Sequence, residues 1–384
     1  MHHVMTGALA GIRIVEFTGI GPGPFAGMML ADHGAQVIRI VRPTTARLPA
    51  LDRFDVLARS RSVIAIDMKT PAGIAVVRDL CRCAHGVIEG YRPGVMERLG
   101  LGPDILIGDT PALVYGRITG WGQDGPLAQA AGHDINYIAI NGVLHTIGRK
   151  GERPAVPVNY VGDFGGGGML LAFGMLAALL AVRNGAPGQV VDAAMVDGSA
   201  LLSGMVWQMK AAGLWRDLPQ SNWLDGGAHF YDSYACADGK FVAIGAIEAP
   251  FYALLRERLG LADDPAFDAQ FDPAAWDGLR DRLAAVFATR TRDEWAALLE
   301  GSDACFAPVL SLGEALAHPH IAARGTFVEV AGHTQPAPAP RFSKTPAATP
   351  SGARPAGEDV RTVLAGIGYD GDRVEALIAA RIVG

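Results

Sequence analysis

The chain has 384 residues, of which 50% are hydrophobic and 19% are charged, and its formal net charge at pH 7 is −6. This length leaves room for two domains, and the hydrophobic content supports a large buried core and argues against extensive disorder. A modest negative charge without a long basic segment also argues against nucleic acid or an anionic membrane as the main partner.

The first third of the chain alternates apolar strands with helical stretches. The pattern predicts strands over Ile12–Phe17, Val37–Val41, Val87–Glu89 and Leu113–Ile118, and helices over Phe25–His33 and Ala72–Cys83. This alternation is typical of a parallel sheet with helices on both faces, in which ligands bind at the carboxyl ends of the strands. A further strand is expected over 190–193, and long apolar helices over 169–182 and 197–212.

The pattern changes near Leu224, where a smaller α+β region begins. Two strands, Phe230–Ala235 and Phe241–Ala246, flank a turn sequence at 237–240. Helices are expected over 250–259, 276–288 and 292–300, the last with Thr291 and Glu294 in capping-box spacing. A proline-rich connector over 336–357 precedes two final helices, over 359–367 and 372–382.

Several signals indicate an intracellular protein without a metal site. The four cysteines, Cys81, Cys83, Cys236 and Cys305, lack metal-ligand spacing, so we expect reduced thiols. No secretory signal is recognisable in the first 17 residues, which predicts a cytoplasmic location. The longest apolar run, 169–182, is shorter than the ~20 residues that cross a bilayer.

The glycine-rich loop from Gly19 to Gly27 follows a strand and precedes a helix, as a dinucleotide fingerprint does. Pro22 and Pro24 remove backbone donors that would hold phosphates. The next strand ends near Arg39 and Arg42, where NAD enzymes place an acidic residue. A tight turn is the favoured interpretation, and an NADP site is the alternative.

Three cations, Arg42, Lys69 and Arg92, lie at or just after apolar strands of the first domain. At one edge of a sheet they would form a docking site for a polyphosphate, because arginine binds phosphate through two parallel hydrogen bonds. The alternative is that all three are solvated surface residues.

His133 and Asp163 are the candidates for acid/base chemistry. His133, in the sequence AGHDINY, has a side chain that titrates near neutral pH, although its polar neighbours are also compatible with a turn. Asp163 precedes four glycines at an expected helix start, which fits a simple N-cap. The same helix start could stabilise a thioester oxygen as it gains enolate character, with the glycines allowing close approach of the substrate. Glu248 is an ordinary first-turn acid unless it reaches His133.

Together these motifs resemble the class III CoA-transferase superfamily and, within it, the α-methylacyl-CoA racemases. The similarity covers essentially the whole chain and is carried by segments such as IRIVEFTGIGPGPFAG, EGYRPGVMERLGLGP, AGHDINYIAINGVLH, GDFGGGG and DGGAHFYDSYACADGKFVAIGAIE. The resemblance implies a large Rossmann-like α/β domain (1–200 and 335–384), a small α+β domain (225–330) and connecting segments at 201–224 and 331–357. It also implies an interlocked homodimer, with each active site between the large domain of one subunit and the small domain of the other.

The resemblance further implies a racemase that interconverts (2R)- and (2S)-2-methylacyl-CoA thioesters. His133 and Asp163 match the family's acid/base pair, and Glu248 matches the glutamate that orients the histidine. Arg42, Lys69 and Arg92 match residues that contact the phosphates and adenine end of CoA, and Tyr137 matches a residue near the thioester. No separate cofactor is expected, since CoA is part of the substrate, and sterol, branched fatty and arylpropionyl chains are all compatible.

The main alternative is a class III CoA-transferase, in which Asp163 would be a nucleophile that forms acyl-enzyme anhydrides. That reaction needs no histidine opposite the carboxylate, so the combination of His133, Asp163 and Glu248 favours racemisation. A non-catalytic acyl-CoA carrier and an NADP reductase are the remaining alternatives.

Overall fold

The computed structural model describes residues 7–17, 19–43 and 54–384. It has two compact units, which we call the sheet unit (residues up to Asn141, Val158–Leu202 and Gly325–Gly384) and the central unit (Gly142–Pro157 and Ser203–Arg324). From the sequence, residues 142–157 were expected in the large domain and 325–330 in the small one. Contacts within the structure instead group 142–157 with the central unit and 325–330 with the sheet unit.

The sheet unit is built on six parallel strands in the order β3-β2-β1-β4-β5-β6, the order of a doubly wound α/β sheet. The strands are β1 (Arg13–Phe17), β2 (Gln36–Val41), β3 (Ser62–Ala65), β4 (Gly86–Glu89), β5 (Val114–Thr119) and β6 (Val190–Ala194). The expected parallel sheet is confirmed. Strand β3, a four-residue strand at the edge of the sheet, was not predicted from the sequence.

Helices cover both faces of this sheet because successive strand residues point to opposite sides. Val15 and Ile38 pack with α2 (Pro71–Arg82), α15 (Val360–Ala365) and α16 (Gly371–Ala379). Ile14 and Val37 pack on the other face, with α1 (Pro22–Asp32) and α7 (Leu170–Arg183). The other helices of the sheet unit, in chain order, are α3 (Val95–Arg98), α4 (Pro103–Asp109), α5 (Asp134–Ile140), the π-helix α6 (Tyr160–Met169) and α8 (Met195–Leu202).

Helix α1 begins three residues earlier than expected. Pro22 occupies its first turn, where a backbone N–H has no helical partner in any case. Gly21 precedes it with φ 70, a left-handed conformation that favours glycine. The glycine- and proline-rich loop is therefore a strand-to-helix turn.

Ion pairs are buried within the sheet, between neighbouring strands. Glu16 on β1 lies opposite Arg39 on β2, with 3.6 Å between Oε1 and Nε, and it also contacts Arg61. Arg39 is only 2% exposed and also lies 3.5 Å from Asp55. It is therefore a structural residue and is not available to bind the 2′-phosphate of NADP.

The last segment of the chain returns to the sheet unit. Residues 327–336, which the sequence analysis divided between the small domain and a connector, form a hairpin of β10 (Phe327–Val330) and β11 (His333–Pro336). Arg59 donates a 2.7 Å hydrogen bond to the Pro336 carbonyl, and Asp359 accepts one of 2.9 Å from the Val63 N–H. These bonds attach the segment to the region around β3.

The central unit contains a three-stranded antiparallel sheet of β7 (Tyr231–Ala235), β8 (Phe241–Gly245) and β9 (Phe306–Pro308). The predicted hairpin and the Thr291–Glu294 capping box are confirmed. Its helices are α9 (Gly204–Ala211), α10 (Ala249–Arg258), α11 (Trp276–Phe287), α12 (Arg292–Leu299), α13 (Leu312–Ala317) and α14 (Pro319–Arg324).

Candidate active site

A cavity of about 690 Å³ opens at the carboxyl ends of β1, β4 and β5 in the sheet unit. This is the point where the strand order reverses between β1 and β4, the usual ligand position in doubly wound sheets. Five of the predicted site residues line it: Arg42, Arg92, His133, Tyr137 and Asp163. Residues far apart in the sequence therefore come together at one opening.

His133 is the N-cap residue of α5 and has an exposed side chain. Its backbone N–H donates a 3.0 Å hydrogen bond to the Asn136 side chain, which fixes the start of the helix. The imidazole remains accessible from the cavity, as a group that exchanges protons with a bound substrate requires.

Asp163 lies in the first turn of α6 and is half-buried at the cavity wall. Burial raises the pKa of its carboxyl, and the charge of Asp134 raises it further. A 3.1 Å hydrogen bond from the Asn159 amide and the nearby His133 both act in the opposite direction. Both candidate acid/base groups line the same cavity, and His133 acts electrostatically on the Asp163 carboxyl.

The structure contradicts the expectation that a thioester oxygen binds the peptide N–H groups at Asp163. The helix begins at Tyr160, so Asp163 is inside it and is not its cap. The N–H groups of Gly162 and Asp163 both donate to Asp134 Oδ2, at 2.6 and 2.7 Å. These donors are already used, and an enolate oxygen needs a different partner.

The glycines after Asp163 also have a different role from the one expected. A β-carbon on Gly166 would lie 2.5 Å from the Ser199 nitrogen, and one on Gly168 would lie 2.7 Å from the Phe25 ring. Glycine is therefore needed so that α6 can pack closely against α8 and α1. The space next to the glycines is occupied by atoms of α8 and α1.

Tyr137, buried in the cavity wall, donates a hydrogen bond from its hydroxyl to the carbonyl of Gly132, the residue before His133. Its ring meets Trp121 edge-on, with 4.8 Å between centroids. Burial, together with the charge of Asp163, raises the pKa of Tyr137 to about 12, so the hydroxyl stays protonated at neutral pH.

The three predicted cations do not all reach the cavity. Arg42 and Arg92 line it with exposed side chains, and Arg42 lies beside the Tyr91 hydroxyl. Lys69 is exposed in the turn after β3, where its backbone N–H donates to Asp67. It is not among the residues that line the cavity in the described structure.

Glu248 belongs to the central unit, where it is the exposed N-cap residue of α10 and lies between β8 and that helix. Asp134, Asn159 and Trp121 were not singled out from the sequence. The usable signals were adjacency to His133 for Asp134 and the four-residue spacing to Asp163 for Asn159, since residues four apart are neighbours on a helix.

One helical stretch in the described chain, Tyr160–Arg183, is long and apolar enough to cross a membrane by length and composition. The expectation that this segment is too short was wrong, because the helix extends back through the glycines. Core helices pass the same test, and Leu171 and Met175 are fully buried in the sheet unit.

Comparison with known proteins identifies the family of the chain. Residues 9–360 match the family model described as CoA-transferase family III. The chain is 43% identical over 377 residues to an α-methylacyl-CoA racemase of Mus musculus and 42% identical over 381 residues to that of Homo sapiens. Both alignments cover 98% of this chain and 97% of the relative. The crystal structure of a CAIB/BAIF family protein from Brucella suis has the same fold, with a TM-score of 0.80, 24% identity and coverage of 94% of this chain and 100% of that one.

Proposed function

The chain belongs to CoA-transferase family III, and we propose that it is an α-methylacyl-CoA racemase, which interconverts (2R)- and (2S)-2-methylacyl-CoA thioesters. The observation that carries the proposal is the presence of His133 and Asp163 on the wall of one cavity, within electrostatic range of each other. High identity over nearly the full length to racemases supports the same reaction.

The chemistry requires removal of a weakly acidic hydrogen next to a thioester. In our proposal one group removes this proton and the other delivers a proton to the opposite face of the same carbon. The resemblance to the family assigns the proton of the 2S form to His133 and that of the 2R form to Asp163. The two groups start each turnover in opposite protonation states, which differences in environment can provide.

The raised pKa of Asp163 supports this role. A carboxyl with its ordinary pKa is a weak base and is rarely protonated at neutral pH. Burial brings the pKa closer to neutrality, so the same group can accept a proton in one direction and donate it in the other.

We propose that the CoA part of the substrate is held by Arg42, Arg92 and Lys69, with Tyr137 near the thioester. Two of these cations line the cavity, and guanidinium groups suit phosphate geometry. The reaction needs no cofactor beyond the CoA of the substrate, and we propose a cytoplasmic location.

A homodimer completes the proposal. Large apolar side chains are exposed along α7 and α8, including Phe173 at 69% and Leu201 at 68%. Phe173, Leu176 and Leu180 share one face of α7 by their spacing, and an exposed apolar face on a folded chain is typical of a protein interface. We propose that a second copy of the chain covers this surface, and that the partner's Glu248 orients His133, as the family resemblance suggests.

Incubation with a single 2-methylacyl-CoA enantiomer in deuterated water tests the function. A racemase gives inverted product with deuterium at Cα and needs no acceptor acid. A CoA-transferase, with Asp163 as its nucleophile, gives product only after a second carboxylate is added. Absence of inversion together with acceptor-dependent transfer would replace the racemase proposal by the transferase.

A further inference from the structure

Asp134 is a buried carboxylate, 5% exposed, directly after His133 in the first turn of α5. Its Oδ2 accepts the N–H groups of Gly162 and Asp163, at 2.6 and 2.7 Å. A β-carbon on Gly162 would lie 2.7 Å from this oxygen and 3.2 Å from the α-carbon of Asp134. The contact is therefore tight and depends on glycine at 162.

These two bonds join the segments that carry the candidate acid/base pair. The donors are the peptide group of Asp163 itself and that of its neighbour, and the acceptor is the neighbour of His133. Hydrogen bonds to a charged acceptor are about twice as strong as neutral ones. A shift of α5 relative to α6 would have to break them.

We propose that Asp134 is a positioning residue, which fixes the gap between His133 and Asp163 by joining α5 to the backbone of α6. This inference rests on the proposed two-base inversion. Its physical basis is that proton transfer from two opposite faces of one carbon requires a narrow range of separations. Misplacement by about 1 Å can cost ~10²-fold in rate.

Asp134 also acts through its charge. Within the part of the chain that the structure describes, the titratable groups that influence the Asp163 carboxyl are Asp134 and His133, both on or next to α5. Tyr137, on the same helix, is neutral at pH 7. Removal of the Asp134 charge should therefore lower the pKa of Asp163, independently of geometry.

Two substitutions separate the two effects. In Asp134→Asn the amide oxygen can still accept both N–H groups, whereas the charge is lost. In Asp134→Ala both the hydrogen bonds and the charge are lost. Asp104→Asn, an exposed acid in the first turn of α4, is the matched control.

The experiment measures kcat, KM and the pH dependence of kcat/KM for each enantiomer with the full-length protein. We expect Asp134→Ala to lower kcat for inversion by ~10²-fold with KM changed less than about threefold. We expect Asp134→Asn to keep kcat within about tenfold of wild type, and its acidic limb to move to lower pH for the 2R substrate. Thermal melting of each variant checks that it is folded.

Two results would overturn the inference while leaving the racemase intact. One is an Asp134→Ala protein with a kcat within threefold of wild type. The other is an Asp134→Asn protein that loses as much activity as Asp134→Ala with an unmoved acidic limb. A wild-type protein that does not invert the substrate would overturn the proposed function and this inference together.

Discussion

Substitution of either His133 or Asp163 removes one of the two proton-transfer groups that each turnover needs. We expect Asp163→Asn and His133→Ala each to lower kcat for inversion by more than ~10⁴-fold, beyond the usual loss for one acid/base group. Each variant should still exchange the α-hydrogen of the one enantiomer that its remaining base deprotonates. Chiral chromatography of the CoA thioesters after incubation in deuterated water measures both outcomes.

Asp104→Asn serves as the control for this pair, since it changes an exposed acid outside the cavity lining. An Asp163→Asn enzyme that inverts at more than a tenth of the wild-type rate would contradict the two-base reaction.

Arg92 provides a test of CoA binding. Arg92→Ala removes a guanidinium at the cavity and should raise KM for the acyl-CoA by ~10-fold or more with little change in kcat. The same variant should process an acyl-pantetheine thioester, which lacks the nucleotide phosphates, as wild type does. Arg98→Ala, an exposed arginine on α3, is the control. Equal KM changes for both substrates would show that Arg92 does not contact the nucleotide part.

Asn159 gives a pH test of the Asp163 environment. Its amide donates to the Asp163 carboxylate and thereby lowers the pKa of that group. In Asn159→Ala the pKa of Asp163 should rise, so a higher pH is needed before its carboxyl is deprotonated and can act as a base. The acidic limb of kcat/KM for the 2R substrate should move to higher pH. A limb that stays in place or moves to lower pH would be inconsistent with this contact.

The sequence indicated the residues with acid/base or phosphate-binding side chains better than the residues that hold them in position. His133, Asp163, Arg42 and Arg92 have side chains typical of acid/base catalysis and phosphate binding, and all four line one cavity. The role of Asp134 depends on a contact with residues 28 and 29 positions away. No local pattern encodes such a contact, and the availability of the Asp163 N–H was misjudged for this reason.

At the scale of elements, the crossing of α6 and α8 depends on two glycines. A β-carbon on Gly198 would lie 1.8 Å from the Gly166 carbonyl oxygen. Gly198→Ala should therefore lower the free energy of unfolding by ~1–3 kcal/mol through overpacking. Denaturant titration followed by circular dichroism measures this change.

Gly278→Ala is the matched control for this crossing. Gly278 lies within α11, and a β-carbon added there would have no heavy atom of the described structure within 4 Å, apart from its chain neighbours and the backbone of its own helix. The same substitution should there raise the free energy of unfolding by ~0.4–1 kcal/mol, because alanine restricts the unfolded chain. A loss of stability at both positions would mean that helix packing is not the cause.

Element types were easier to predict than element limits. The alternation of apolar and polar residues indicated the parallel strands, whereas the apolar helix was expected only over 169–182, after four glycines, a residue type that disfavours helices. Packing against α1 and α8 outweighs this propensity and extends the helix to Tyr160. Strand β3 is short and lies at the sheet edge, which leaves little pattern to detect.

For the molecule as a whole, His229 makes stability depend on pH. It is fully buried in the central unit, and its Nε2 lies 2.7 Å from the Tyr252 hydroxyl. Burial, with a smaller contribution from Arg280, lowers its pKa to about 4. In the unfolded chain His229 binds a proton as the pH falls through 6.5, whereas in the folded chain it stays neutral down to about pH 4. Stability that is present above pH 6.5 is therefore lost as the pH falls toward 4.

This loss should reach ~3 kcal/mol at pH 4. Denaturant unfolding of wild type and His229→Gln between pH 7 and 4.5 measures it as the difference between the two slopes. His320→Gln, an exposed histidine, should keep the wild-type slope. Parallel curves for wild type and His229→Gln would assign the acid sensitivity to other groups.

The sequence indicated two regions of different character, but their limits depend on contacts between distant segments. Residues 142–157 carry no strong pattern and pack with the central unit, through bonds such as that of Arg149 to Asp232 at 2.8 Å. Similarly, the hairpin of β10 and β11 was not predicted, because it lies next to the proline-rich stretch and was divided between the small domain and the connector.

The attachment of the last segment to the sheet edge has a consequence for biosynthesis. Hydrogen bonds of His33 to Ala339, Arg59 to Gln335 and Val63 to Asp359 join residues 306, 276 and 296 positions apart. On the ribosome, the entire Ser203–Arg324 portion emerges before these partners exist. The central unit can therefore fold during translation. The edge of the parallel sheet lacks its last partners until the final segment is synthesised, and until then it is accessible to chaperones and prone to aggregation.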